Sequence, residues 1–290
     1  VTAPAPPYVG RLVLVGHPVA HSLSPRFQNA ALRAAGLALA YDAVDVPPAA
    51  LGRTLEALGA ERAAGNVTVP HKEAVADRCA RLTPLAESAG AVNTFWHDAA
   101  GRLVGDNTDV GGFDEAVRAL VSPDATAQRV ALVGAGGSAA AVVAAVAAWP
   151  GASLTVWSRT PARARALASR SPHHARASAT LDHALDGATL VVNATPLGLR
   201  PGDPFAVPIA GLPDGCAVLD LVYAAARTPW VRAAAAAGHP ADDGLAMLVA
   251  QGALAFRRWF GRDADREAMW TALAEITARR SGMPARDVEA

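Results

Sequence analysis

The sequence predicts an α/β protein of two domains, with mainly parallel sheets. Three observations carry this. Short apolar runs alternate with helical patterns between residues 12 and 72, as in successive β-α-β units. A second strand, glycine turn and helix begin at Arg129, far enough along to found another sheet. A chain of 290 residues is long enough to bury two cores.

In chain order, residues 12–15 form an apolar run closed by Gly16 and read as a buried strand. Ser24 before Pro25 reads as an N-cap with proline at the first helical position. That helix runs to about Ala35, and Gly36 ends it. Ser22 and Ser24 place two hydroxyls beside a helix N-terminus. They form either a seat for a carboxylate or an ordinary cap and turn, and the residues alone leave both open. Residues 41–46 read as a strand, 48–58 as a helix and 64–69 as the third strand. Pro70 suits the start of a helix expected over 70–81, with Lys72 in its first turn.

Lys72 is the only lysine; every other basic residue among the 26 Lys+Arg is arginine. Arginine keeps its proton in a protein, whereas lysine can release one. A lone lysine is either a chance surface residue or the place where a removable proton is needed. Its position at the carboxyl end of a strand, where open α/β sheets bind ligands, favours the second.

Residues 91–96 read as a strand that returns through a turn as a hairpin at 102–105. The stretch 106–112 (Asp-Asn-Thr-Asp-Val-Gly-Gly) reads as a polar loop entering a helix at 113–120. It supplies carboxylates, Asp109 among them, near the strand ends that present Lys72. Residues 121–128 are a loop. After the strand 129–133, Gly134-Ala135-Gly136-Gly137-Ser138-Ala139 opens a helix to about residue 148. Strand, glycine turn and helix in that order seat a dinucleotide pyrophosphate on a helix N-terminus. Ala139 takes the third glycine position, and Gly137 is extra.

The strand 153–157 leads to Ser158, Arg159, Thr160 and Arg163. An acid here would hold a ribose 2′-hydroxyl, and none is present. Two guanidinium groups either suit a 2′-phosphate or open a solvated helix; with the acid missing, the expected cofactor is NADP. Strands at 189–193 and 217–222 lead to Thr195 and to Tyr223. Residues 239–242 read as a loop before Gly244, followed by helices at 245–260 and 266–279. Met247 and Gln251 lie one turn apart on one face. Gln251 is a lone amide in an apolar segment, either a satisfied core group or a ligand contact.

Zero formal net charge gives no reason to expect nucleic acid or a membrane surface as partner. No apolar run approaches the roughly 18 residues of a membrane span. Cys79 and Cys216 are expected to pack as small hydrophobes, not to pair. The histidines show no metal spacing, and no nucleophile elbow is visible. The proline-rich residues 1–7 lack a signal-peptide pattern, so a soluble cytoplasmic protein is expected.

The chain resembles the shikimate dehydrogenase family over most of its length. The resemblance is carried by 16–25 (G-H-P-V-A-H-S-L-S-P), 66–72 (N-V-T-V-P-H-K), 90–94 (G-A-V-N-T), 105–112 and 134–139. It continues through 193–198, 220–223 with Thr228-Pro229, and 244–251. It implies a substrate domain (1–110 with 245–290, the C-terminal helices returning to it) and a Rossmann NADP-binding domain (111–244), with the active site in the cleft between them. The implied reaction is the reversible NADPH-dependent reduction of 3-dehydroshikimate to shikimate, on the route to aromatic amino acids.

Position by position, the resemblance makes Lys72 and Asp109 the catalytic pair. Ser22 and Ser24, with Tyr223 nearby, become the carboxylate contacts. Thr68, Asn93, Asp109 and Gln251 would hold the ring hydroxyls. Residues Gly134, Ala135, Gly136, Gly137 and Ser138 would form the pyrophosphate loop, and Ser158, Arg159, Thr160 and Arg163 the 2′-phosphate clamp. Thr195, Leu221, Gly244 and Met247 would complete the cofactor site, the last three at its nicotinamide end. Four positions depart from the family pattern: Gln28 for histidine, Ser158 for asparagine, Leu199 for methionine and Ala225 for proline. Within the family the alternatives are a quinate or aminoshikimate dehydrogenase; Ser24, Arg159 and Arg163 favour shikimate and NADP. Outside it, the alternative is a non-catalytic dinucleotide sensor, which would have no use for Lys72 and Asp109. The resemblance leaves a monomer or a homodimer open.

Overall fold

The computed structural model describes residues 9–121, 127–200, 202–224, 226–274 and 278. The tail 1–7, most of the loop at 121–128, Ala225 and most of the final helix beyond residue 274 lie outside the described residues. The chain divides into two units, Val1–Phe113 with Leu248–Met269 and Asp114–Met247 with Trp270–Ala290. The resemblance put its cuts a few residues earlier and gave residues 270–290 to the first domain.

In the first unit, β1 (Arg11–Gly16), β2 (Tyr41–Asp45) and β3 (Ala63–Val67) are parallel, in the order β2-β1-β3. Helix α1 (Ser24–Ala34) joins β1 to β2, and a 3-10 turn with α2 (Leu51–Ala60) joins β2 to β3. All five residues of β3 are buried, which is why it reads as a continuous run. Gly65 is required there: a Cβ would stand 1.9 Å from the Val13 carbonyl oxygen. The core gathers Val13, Val15, Leu55, Val67, Val75, Val92 and Phe95.

The expected helix at 70–81 is only α3 (Lys72–Ala76), followed by β4 (Arg81–Leu82) and α4 (Pro84–Ala89). Pro70, which follows a cis peptide bond, lies in the turn before α3 and not in the helix. Helix α4 is unexpected, although Thr83-Pro84 announces it: the Thr83 hydroxyl caps the Ala86 N–H. Likewise Ser24 is the first residue of α1, not its cap. The Ser22 hydroxyl accepts the Ser24 N–H at 3.2 Å.

Strands β5 (Thr94–His97) and β6 (Leu103–Asp106) form the expected hairpin, and the sheet order is β2-β1-β3-β5-β6-β4. β5 runs antiparallel to β3 and to β6, so β6 again runs parallel to β1 and β3. Helix α5 (Asp109–Leu120) starts four residues earlier than expected. Asp109, expected in a loop, sits in the first helical turn, where the helix dipole favours an acid.

The second unit is a six-stranded parallel sheet. Its strands are β7 (Arg129–Val133), β8 (Ser153–Trp157), β9 (Ala175–Ala177), β10 (Leu190–Asn193), β11 (Ala217–Asp220) and β12 (Ala241–Asp243). The order β9-β8-β7-β10-β11-β12 is doubly wound, reversing between β7 and β10. Helices α6 (Gly137–Val146), α7 (Pro161–Ala168), α8 (Leu181–Leu185) and α9 (Pro229–Ala236) connect the strands. Residues 139–146 of α6 are all buried, which explains its lack of a polar face. β9 is unexpected, and β12 replaces an expected loop. Both are three-residue strands, too short for an alternation to show.

Helix α10 (Leu245–Phe260) brings Phe256 and Trp259 into the first unit's core, where Trp259 meets the Tyr41 ring at 6.0 Å between centroids. α11 (Arg266–Thr271) follows. Arg258 of α10 places Nε 2.5 Å from Oδ2 of the wholly buried Asp106, a charge contact and not an aligned hydrogen bond. The other oxygen of Asp106 accepts from the Thr83 hydroxyl and the Asn107 N–H. Arg258→Leu would leave that carboxylate without its cation. Because the guanidinium is partly wet, the expected loss is about 2–4 kcal/mol of unfolding free energy. Denaturant titration should show it, with Asp106→Asn recovering part of the loss in the double variant.

Candidate active site

Topology gathers the first unit's candidates on one edge of its sheet. Ser22 and Ser24 follow the carboxyl end of β1, Thr68 and Lys72 that of β3, and Asp109 that of β6. Asn93 precedes the antiparallel β5, so it begins at the same edge. Gly16, at the end of β1, lets Thr68 come close: a Cβ on it would stand 2.3 Å from Thr68 Cγ2.

Lys72, Asn93 and Asp109 form one hydrogen-bonded cluster with Thr108 and Gln251. Lys72 Nζ donates to Asp109 Oδ2 at 2.6 Å, and the two residues are only 8% and 5% exposed. Asn93 Nδ2 donates to Asp109 Oδ1 at 2.7 Å and lies 3.1 Å from Gln251 Oε1. It is also 3.0 Å from the Thr108 hydroxyl, one acceptor more than an amide has hydrogens. That excess is relieved because the Thr108 hydroxyl can itself donate to Asn93 Oδ1, at 3.2 Å. The Thr108 N–H donates to Asn93 Oδ1 at 2.7 Å, which fixes the amide's orientation. Gln251 turns its own NH₂ to the Leu248 carbonyl at 2.7 Å. Both carboxylate oxygens of Asp109 are thus acceptors, as an ionised acid requires. Lys72 begins α3, an end where a helix disfavours a cation, and Asp109 offsets that.

Sequence reasoning gives no role to the residues behind this cluster. Asn66 Nδ2 donates to the Asn93 carbonyl and to the Thr94 hydroxyl, at 3.1 and 2.6 Å. The Tyr41 hydroxyl donates to Asn66 Oδ1 at 2.7 Å, and burial pushes that phenol's pKa well up. His71 Nε2 lies 2.6 Å from the Val46 carbonyl oxygen. The available signal is an asparagine inside the wholly buried strand β3.

The second unit presents its candidates on the carboxyl edge of its parallel sheet. Gly134 follows β7, Ser158 β8, Thr195 β10, Leu221 and Tyr223 β11, and Gly244 β12. Tyr223 therefore belongs to a different unit from Ser22 and Ser24. Gly134 has φ +119°, and a Cβ on it would stand 2.8 Å from the Ala194 carbonyl oxygen. Gly136 is extended and exposed, and a Cβ there would meet nothing within 4 Å. Open space directly over the N-terminus of α6 is what a pyrophosphate needs. Arg159, Thr160 and Arg163 are exposed and Ser158 half-buried, with no acid among residues 158–163. These residues fit NADP. Leu199, one of the departures, is 55% exposed in the loop after Gly198.

Asp220, wholly buried at the end of β11, ties the strand-end loops together. Its Oδ1 accepts from Asn193 Nδ2 at 2.8 Å and the Val222 N–H at 3.1 Å, and its Oδ2 from the Thr228 hydroxyl at 2.8 Å. Asn193 in turn accepts the Thr195 N–H and hydroxyl, at 2.9 and 2.7 Å. Burial pushes the Asp220 carboxyl up to about 6, beside the adjacent Asp243 and against the lowering by its three donors. The two cysteines are free thiols, raised by burial to about 12 (Cys79) and about 11 (Cys216).

Residues 14–95 match the shikimate dehydrogenase substrate binding domain, and residues 244–274 the shikimate 5'-dehydrogenase C-terminal domain. The shikimate dehydrogenase (NADP(+)) of Rubrobacter xylanophilus is 44% identical over 270 residues, 90% of this chain and 94% of that one. That of Methylobacterium radiotolerans is 41% identical over 258 residues, 87% of this chain and 91% of that one. The crystal structure of shikimate 5-dehydrogenase from Thermus thermophilus, in complex with NADP(H) and shikimate, superposes with a TM-score of 0.80. It is 40% identical and covers 92% of this chain and 99% of that one.

The strand-end hub has a pH signature. A carboxyl raised in the folded state favours folding fully below its unfolded value near 3.8, and that contribution is lost as pH rises to about 6. The unfolding free energy of the native chain relative to Asp220→Asn should therefore fall by about 2–3 kcal/mol between pH 4 and pH 7. Denaturant titrations of both chains across that range would measure the difference.

Proposed function

The chain belongs to the shikimate dehydrogenase family, and we propose that the proton its reaction requires is carried by the Lys72–Asp109 pair. The reaction is the reversible NADPH-dependent reduction of 3-dehydroshikimate to shikimate, a step toward the aromatic amino acids. The contact that carries the reading is the 2.6 Å hydrogen bond from Lys72 Nζ to Asp109.

When bound, NADP supplies or accepts the hydride. A carbonyl carbon that gains a hydride leaves negative charge on its oxygen. The Lys72 ammonium neutralises that charge by donating a proton, and the resulting amine takes the proton back in the reverse direction. Asp109 holds the ammonium in place and balances its charge, while Asn93 holds Asp109. Thr68, Asn93, Asp109 and Gln251 bind the ring hydroxyls. Ser22 and Ser24, beside the N-terminus of α1, seat the carboxylate, with Tyr223 as a further contact.

The residues Gly134, Ala135, Gly136, Gly137 and Ser138 cradle the pyrophosphate, and Ser158, Arg159, Thr160 and Arg163 clamp the 2′-phosphate. Thr195, Leu221, Gly244 and Met247 line the rest of the cofactor site.

Lys72→Ala should lower kcat by about 10²–10⁴-fold with little change in substrate KM. Lys72→Arg should rescue poorly, because arginine keeps its charge but does not release a proton. Steady-state kinetics on both variants decides, and a near-native rate for the arginine variant would reduce Lys72 to a fixed charge. For the cofactor, losing one charge-assisted contact costs about 1.5–3 kcal/mol. Arg159→Ala should therefore raise the KM for NADP by roughly tenfold to a hundredfold and leave NAD use nearly unchanged. Equal losses with both cofactors would remove Arg159 from the phosphate clamp.

A further inference from the structure

Gln28 is wholly buried, yet among the described residues its Oε1 has no hydrogen-bond partner. Its Nε2 donates to the Gly252 carbonyl at 3.0 Å. A buried acceptor left unpaired destabilises a fold, and an apolar side chain of the same shape would remove that cost. Stability therefore does not explain the glutamine, and its position offers another reason. Gln28 lies on α1 one turn after Ser24, on the same face. Gly252 lies on α10 immediately after Gln251. The helices meet closely at this point: a Cβ on Gly252 would stand 2.4 Å from Phe27 Cε2 and 3.0 Å from Gln28 Nε2.

We infer that Gln28 and Gly252 are a positioning pair that sets the separation between the carboxylate seat on α1 and the hydroxyl-binding amide on α10. This rests on the reading of Ser22, Ser24 and Gln251 given above. The substrate is a rigid ring with a carboxylate at one end and hydroxyls at the other, so both ends bind together only at one spacing. Apolar packing is non-directional and lets helices slide. A directed hydrogen bond from an amide to a backbone carbonyl fixes the axial register, while the missing side chain at Gly252 fixes the distance. The pair thereby selects which ring acids fit.

The test uses the full chain with Gln28→Met and, separately, Gly252→Ala. Each is assayed with NADP on shikimate and on the same ring triol lacking the carboxylate. Gln28→Met should keep or raise the thermal midpoint and leave the NADP KM unchanged. It should raise the shikimate KM by about tenfold, with kcat/KM for the decarboxylated ring unchanged. Gly252→Ala should act in the same direction and more strongly; if it does not fold, Gln28→Met decides alone. Equal fractional losses on both compounds, or an NADP KM that rises in step, would make Gln28 a packing residue and overturn the inference. A native chain that turned over both compounds equally well would instead sink the carboxylate seat, and the inference with it.

Discussion

The buried contact between Lys72 and Asp109 is the constraint to which the rest of the first unit answers. Two charges taken out of water lose hydration worth several kcal/mol each, and their attraction repays it only when the remaining lone pairs are satisfied. The fold meets that condition. Asp109 sits in the first turn of α5, where the helix end favours an acid, and its second oxygen receives the Asn93 amide. Asn93 is oriented by the Thr108 N–H, and its carbonyl is held by Asn66, which Tyr41 holds in turn. A chain of hydrogen bonds thus runs from the aromatic core to the ammonium. An apolar pair would be as stable or more so, which makes proton chemistry the better reason for keeping the ions.

The second unit handles a buried carboxylate differently. Asp220 accepts hydrogen bonds from Asn193, the Val222 N–H and Thr228, with another acid beside it. Three neutral donors hold its geometry without fully offsetting desolvation, so its pKa rises to about 6. That suits a knot between loops, where position matters and proton transfer does not. The arginines after β8 follow a third rule. They stay exposed, where a guanidinium keeps its hydration in the free protein.

Much of this is legible in the sequence, for physical reasons. Parallel strands buried on both faces read as apolar runs, so β1, β3, β7 and β8 are visible, and Gly134 to Gly137 punctuate the turn before α6. The lone lysine is visible because arginine has displaced every other one. Short elements are not legible: β4, β9 and β12 have two or three residues, fewer than a period needs. The start of α5 is misplaced because Asp109 and the glycines after it read as turn chemistry, although an acid suits a first helical turn equally well. Asn66, Asp106 and Asp220 lie within the motifs, yet nothing local gives them a role. Each has at least one partner far off in the chain, Tyr41, Thr94 and Asn193 at 25 to 28 positions and Arg258 on α10, distances across which no local pattern reports.

Whether Lys72 moves a proton or only supplies charge is decided most directly by chemical rescue. Truncation to Lys72→Ala leaves space for a small solute beside Asp109. Added primary amines should restore turnover, with rates that follow the acidity of the amine, while guanidinium at equal concentration should not. Guanidinium restoring the rate as well as methylamine would show that a fixed positive charge is enough, and would contradict proton transfer by Lys72.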